Sequence, residues 1–124
     1  MQMRESGEMY LETILVLSME RGQVRSVDVS EYMGYSKPSV SRAVGLLRRD
    51  GYLEMDGDGL LTLTPKGRAV AEKIYGRHVT LKALLMGLGV EESVAAADAC
   101  KIEHDISDQS FAAIQAHMER YRKQ

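Results

Sequence analysis

The segment Ser36-Lys37-Pro38-Ser39-Val40-Ser41-Arg42-Ala43-Val44-Gly45-Leu46-Leu47-Arg48-Arg49-Asp50-Gly51-Tyr52-Leu53 limits the possible folds of this chain more than any other. Ser36 is placed to cap a helix, and Pro38 suits its first turn, where a backbone N–H has no intrahelical partner to lose. Val40, Val44 and Leu47 recur at helical spacing and mark an inner face. Ser39, Ser41, Arg42, Arg48 and Arg49 point elsewhere, and Gly51 ends the helix. Small hydroxyls and arginines at the front of a helix suit phosphates and base edges. The segment reads as a DNA-recognition helix that leaves into a β-wing. The plainer alternative is a surface helix with a solvated basic face.

The flanks favour the first reading. A helix opening at Glu8 has Tyr10, Ile14 and Leu17 on one apolar face, with Met9 and Glu12 one turn apart, until Gly22 stops it. Residues 25–33 read as a short second helix capped by Ser26, and Gly34-Tyr35 makes the turn into the third. Short helix, glycine turn and longer helix form a helix-turn-helix. Tyr52-Leu53-Glu54-Met55 and Leu60-Leu61-Thr62-Leu63 are short strands around Asp56-Gly57-Asp58-Gly59, a strong hairpin signal, so the module is a winged helix. The tip is acidic, where a wing that grips a phosphate backbone usually carries Lys or Arg. Thr64 and Pro65 then start a long helix to about Met86, broken by Gly87 and Gly89. A helix from Val90 to about Asp105 and a last one capped by Ser107 follow, with residues 120–124 as a frayed tail.

A chain of 124 residues with 44% apolar residues makes one domain or two small ones. With eight methionines, six tyrosines and one Phe, its core is adaptable and gains from a dimer interface. The net charge of −2 excludes a uniformly basic nucleic-acid binder. Positive charge gathers locally, because Ser36–Arg77 holds eight basic against five acidic residues. No stretch has the length of a membrane span, no signal-peptide core opens the chain, and Cys100 is the only cysteine, so a cytoplasmic protein is expected.

Cys100, Glu103 and His104 stand at i, i+3 and i+4, which puts a thiol, a carboxylate and an imidazole on one helix face. All three are transition-metal donors. The alternative is a buried cysteine beside a surface Glu–His pair. His78, on a mostly apolar stretch, is a ligand or a satisfied structural histidine. Met9 and Glu12 are donors in the same sense, or a core residue and a solvated one.

Glu8-Met9-Tyr10-Leu11-x-Thr13-Ile14, Ser36-x-Pro38-Ser39-Val40-Ser41, Asp50-Gly51-Tyr52-Leu53, Leu63-Thr64-x-Lys66-Gly67, His78, Gly89 and Cys100-x-x-Glu103-His104 occur in this order. From about Glu8 to Met118 the set resembles the diphtheria toxin repressor family of metal-dependent transcriptional repressors, which includes the manganese transport regulators. The resemblance implies a mostly α fold with a small β-hairpin wing. A winged helix-turn-helix DNA-binding domain would occupy residues 1–74 and an all-helical metal-binding and dimerisation domain residues 75–124. It also implies a homodimer that binds a double-stranded, palindromic DNA operator and represses metal-uptake or metal-homeostasis genes when metal is plentiful.

Residue by residue, Met9, Cys100, Glu103 and His104 match the primary site of the family's iron-type branch. Glu12 and His78 match ligand positions of the manganese type, and His78 also matches one of the iron type's ancillary site. Lys82 and Ala96 stand near other ancillary positions and are not metal ligands. The 124 residues stop before the position of the small β-barrel domain of larger members, so the two-domain layout of the manganese type is expected. A thioether and a thiol favour Fe²⁺, with Mn²⁺ next. The expected DNA contacts are Ser36, Lys37, Pro38, Ser39, Ser41 and Arg42. No membrane or small organic ligand is expected.

Three rivals frame the test. A winged-helix regulator insensitive to metal would leave Cys100 as a redox sensor, and DNA binding would then ignore metal. A metalloenzyme is opposed by the lack of a nucleophile–base pair, a phosphate loop or a pocket-forming sheet. A winged helix that binds other proteins is compatible with the acidic tip.

Overall fold

The hairpin and the helix-turn-helix are held together by side chains at their joints. The computed structural model describes residues 5–122, in the order α1 (Glu5–Arg21), α2 (Ser26–Met33), α3 (Lys37–Arg49), β1 (Leu53–Met55), β2 (Leu61–Leu63), α4 (Pro65–Gly87), α5 (Glu92–Asp105) and α6 (Asp108–Arg122). The chain divides into two compact units, one through Lys73 and one from Ile74.

In the first unit α1 sends Tyr10, Leu11, Ile14, Leu15 and Leu17 into the core, where they meet Val29 of α2 and Val40, Val44 and Leu47 of α3. Nothing in Glu5-Ser6-Gly7 breaks a helix outright, and α1 starts before the expected Glu8. Gly34 closes α2 at φ 73°, a left-handed value that glycine adopts without strain, and its N–H donates to Ser30 O at 2.9 Å. The Ser30 hydroxyl donates to Tyr35 O at 2.6 Å, which fixes the entry to α3. The Tyr10 and Tyr35 rings lie 6.1 Å apart; burial, then the proximity of Tyr35, pushes the Tyr10 hydroxyl above its usual pKa.

The N-cap of α2 is Arg25 rather than the expected Ser26, which becomes the first helical residue. The physical reason lies in the wing. Arg25 is extended because it bridges Leu60 across the hairpin base, its Nε donates to Asp58 O at 3.2 Å, and its backbone N–H donates to the Asp28 carboxylate at 2.8 Å. The strands pair antiparallel, Leu53 with Leu63, Glu54 with Thr62 and Met55 with Leu61. They are one residue shorter than expected, since the Tyr52 N–H closes α3 by donating to Leu47 O and Leu60 is engaged by Arg25. At the tip one oxygen of Asp56 accepts from the N–H groups of Asp58 and Leu60, both at 2.9 Å.

The start of α4 is stapled to the exit of α3. Thr64 caps the helix, its hydroxyl accepting from Gly67 N–H at 3.0 Å and donating to Gly51 O at 2.7 Å. Lys66 donates to Asp50 O at 2.9 Å with its ammonium 4.2 Å from the Tyr52 ring centroid. Gly67 lies directly over Tyr52: a Cβ there would fall 2.0 Å from the Tyr52 carbonyl oxygen.

In the second unit Ile74 and Leu81 of α4 and Ala95 and Ala99 of α5 are buried, together with Arg77 and Glu103. Gly89, at φ 101°, turns the chain after α4. Glu91 caps α5, so that helix begins two residues after the expected Val90. Ser107 caps α6 through the Ser110 N–H at 3.1 Å. Residues 120–122 are helical instead of frayed, while Lys123 and Gln124 fall outside the described residues. Among the described residues no helix is long and apolar enough to cross a membrane.

Replacing Gly67 by Ala forces the backbones of α4 and Tyr52 apart. Urea denaturation should show a loss of about 1–3 kcal/mol, the range for overpacking.

Candidate metal centre and nucleic-acid interface

Along α5 the residues Ala95, Ala99 and Glu103 follow one another at i, i+4 and i+8, and all three are buried. The first two are small and apolar, and the third is a carboxylate with no exposure at all. A carboxylate so placed is stable only when hydrogen-bonded or paired. One oxygen, Oε2, lies 2.9 Å from His78 Nδ1 on α4, and the other, Oε1, lies 3.4 Å from His104 Nε2. The His104 side chain is also fully buried and that of His78 is one-quarter exposed.

An ionised carboxylate can only accept, so in a pair of this kind the ring nitrogen Nδ1 is the donor, and the contact holds the ring with Nε2 turned away from Glu103. A carboxylate that orients a ring in this way is the usual support of a ligating histidine. Cys100, half-buried, lies one turn before His104 on α5. The alternative of a buried cysteine beside a surface Glu–His pair is overturned, because the acid and the adjacent imidazole are the buried members. Oxygen, nitrogen and sulfur donors on one helix face, with the carboxylate and imidazole stripped of water, fit a divalent transition ion.

The other sequence-derived candidates lie in the first unit. Met9 and Glu12 are on α1, both half-buried, three residues apart. Ser36, Lys37, Pro38, Ser39, Ser41 and Arg42 are all exposed at the front of α3, opposite the buried Val40–Val44–Leu47 stripe. Ser36 is the N-cap, its hydroxyl accepting from Ser39 N–H at 3.3 Å and donating to the Ser39 hydroxyl at 2.9 Å. From Lys37 to Arg49 the helix carries four basic and no acidic residues. A positively charged helix end with exposed hydroxyls can contact a nucleic-acid backbone.

Sequence reasoning missed Arg77, which was counted only as surface charge. It is 6% exposed and shares the stripe Ile74–Arg77–Leu81 with two core residues at i, i+3 and i+7. A cation in register with an apolar stripe was the signal.

Residues 2–61 match the family model of the iron dependent repressor N-terminal DNA binding domain, and residues 64–124 that of the iron dependent repressor metal binding and dimerisation domain. The chain is 31% identical to an uncharacterised HTH-type transcriptional regulator of Methanocaldococcus jannaschii, over 97% of this chain and 98% of that one. It is 36% identical to the HTH-type transcriptional regulator MntR of Geobacillus kaustophilus, over 82% of this chain and 72% of the relative. It is also 36% identical to the iron-dependent repressor IdeR of Mycobacterium bovis, over 84% of this chain and 46% of that protein.

Among solved structures, a manganese-dependent transcriptional repressor in complex with manganese superposes with a TM-score of 0.83 at 28% identity, covering 91% of this chain and 52% of that one. The manganese regulator SloR gives 0.81 at 26% identity, covering 91% and 53%. The chain thus spans about half the length of these structural neighbours. Two adjoining family matches, together with relatives matched over most of their own length, lead to one assignment: this chain belongs to the iron-dependent repressor family of transcriptional regulators.

Proposed function

We propose that this chain is a metal-dependent transcriptional repressor that binds a palindromic DNA operator as a homodimer and controls metal-uptake or metal-homeostasis genes. The observation that carries the reading is the fully buried Glu103–His104 pair with His78 hydrogen-bonded to the same carboxylate. The proposed ligand set is Cys100, Glu103 and His104 on α5, His78 on α4, and Met9 and Glu12 on α1. Between Fe²⁺ and Mn²⁺, the thioether and thiol donors favour Fe²⁺, and Co²⁺, Ni²⁺ or Zn²⁺ should also bind in vitro because affinity rises along the first row. When bound, the metal supplies a charge that holds several donors in one arrangement.

The chain's own residues do the rest. Glu103 and His104 offer a carboxylate oxygen and an imidazole nitrogen from a rigid helix, and His78 holds the carboxylate in place. Ligands drawn from α1 as well as α5 would let metal favour the state of the protein that presents α3 to DNA. In that state Ser36, Lys37, Ser39, Ser41 and Arg42 contact phosphates or bases, and Pro38 packs on a thymine methyl. Dimerisation through the second unit is supported by the match of residues 64–124 to a metal binding and dimerisation domain. A two-fold dimer sets half-sites roughly 10 bp apart, or a multiple of that.

An anaerobic anisotropy titration against a palindromic promoter fragment, with chelator, Fe²⁺ or Mn²⁺ at fixed salt, tests the reading. Affinity should rise sharply with metal, and equal affinity in chelator would rule the proposal out. His104→Ala should lose the metal response. Its metal affinity should drop by more than the roughly 10–100-fold that loss of a supporting partner costs, with the apo fold intact by circular dichroism.

Arg42→Ala tests the interface separately. If Arg42 neutralises one phosphate, the slope of log affinity against log salt should become shallower by about 0.9, with binding weakened on every sequence. An unchanged slope would remove Arg42 from the contact set.

A further inference from the structure

We propose that Arg77 is a positioning residue for the metal-ligand end of α5. Its guanidinium lies within the second unit and reaches three groups at the corner where α5 gives way to α6. Nη1 donates to Ile106 O at 2.8 Å and approaches Glu103 O at 3.4 Å. Nη2 pairs with the Asp108 carboxylate, on the first residue of α6. The Phe111 ring centroid, one turn into α6, lies 5.3 Å from the guanidinium carbon.

The last four carbonyls of a helix have no intrahelical partner, and a cation among them both satisfies and stabilises that end. Arg77 does this chiefly through Ile106 O and, at longer range, at the carbonyl of Glu103, whose side chain is the buried carboxylate, so the backbone at this helix end is braced from one side while His78 holds the carboxylate from the other. Because Arg77 and His78 are consecutive on α4, a single segment of that helix sets both. The planar guanidinium has the several donors in fixed directions that two carbonyls and a carboxylate require at once, which a lysine ammonium on its flexible stem does not. Asp108 also answers the positive charge that would otherwise face an incoming cation.

This inference rests on the proposal that Glu103 and His104 hold metal, and the experiment separates the two. Mn²⁺ is titrated calorimetrically into the full chain and into Arg77→Met, Arg77→Lys and Asp108→Asn, and the apo melting temperature of each is recorded. Co²⁺ absorption bands report donor geometry in parallel. Arg77→Met is expected to bind Mn²⁺ about 10–100-fold more weakly, with altered Co²⁺ bands, as for loss of a group that supports a ligand. Arg77→Lys should recover part of the affinity, and Asp108→Asn should weaken binding severalfold.

A merely structural Arg77 would lower the apo melting temperature and leave the dissociation constant and the Co²⁺ spectrum of the folded protein unchanged, which overturns the inference. If Arg77→Met does not fold, Asp108→Asn decides, and wild-type binding by that variant overturns it. No binding by the unmodified chain would instead overturn the metal-site proposal.

Discussion

A carboxylate taken entirely out of water must have its charge answered, and the second unit is arranged around one. Glu103 continues the buried Ala95–Ala99 face of α5, where a leucine would pack with no electrostatic cost. Stability alone does not call for an acid at that position. The structure supplies a ring nitrogen of His78 to one oxygen and sets His104 beside the other. Ala95 and Ala99, both without exposure, precede Glu103 on that face. What the acid costs in stability is the reason to look for its role in the chemistry proposed for this end of α5.

Much of the first unit was legible in the sequence because its signals are local. The Val40–Val44–Leu47 stripe, the Ser36 and Thr64 caps, the glycine after α2 and the hairpin tip each depend on residues a few positions apart, and all of them appear in the structure. Asp50-Gly51-Tyr52 and Thr64-x-Lys66-Gly67, noted as separate motifs, prove to be two sides of one joint. Their spacing gave no sign of that, since the contact is made through backbone carbonyls, which every residue possesses. The Arg25 cap of α2 was hidden for the same reason: its extended conformation is imposed by the wing, 35 residues further on at Leu60.

The site was legible in part. Helical spacing placed Cys100, Glu103 and His104 on one face, and the pairing of His78 with Glu103 needed the three-dimensional packing of α4 on α5. Burial was the harder property to read. Charged residues are mostly exposed, so a sequence reader assigns Glu103 and Arg77 to the surface by default. Both are interior, and each is hydrogen-bonded to a group at least 25 positions away in the chain.

The hairpin has a further consequence. No basic residue lies between Leu53 and Thr64 and the tip carries two aspartates, while Lys37 and Arg42 are exposed at the front of α3. One Asp56 oxygen is already committed to holding the turn. The first unit holds ten basic and eleven acidic residues, so in the field of a polyanion it experiences chiefly a torque: approaches led by the hairpin tip are disfavoured and those led by the front of α3 are favoured. Selection of the productive face begins at about a Debye length, roughly 8 Å at physiological ionic strength, before any hydrogen bond to a base is formed.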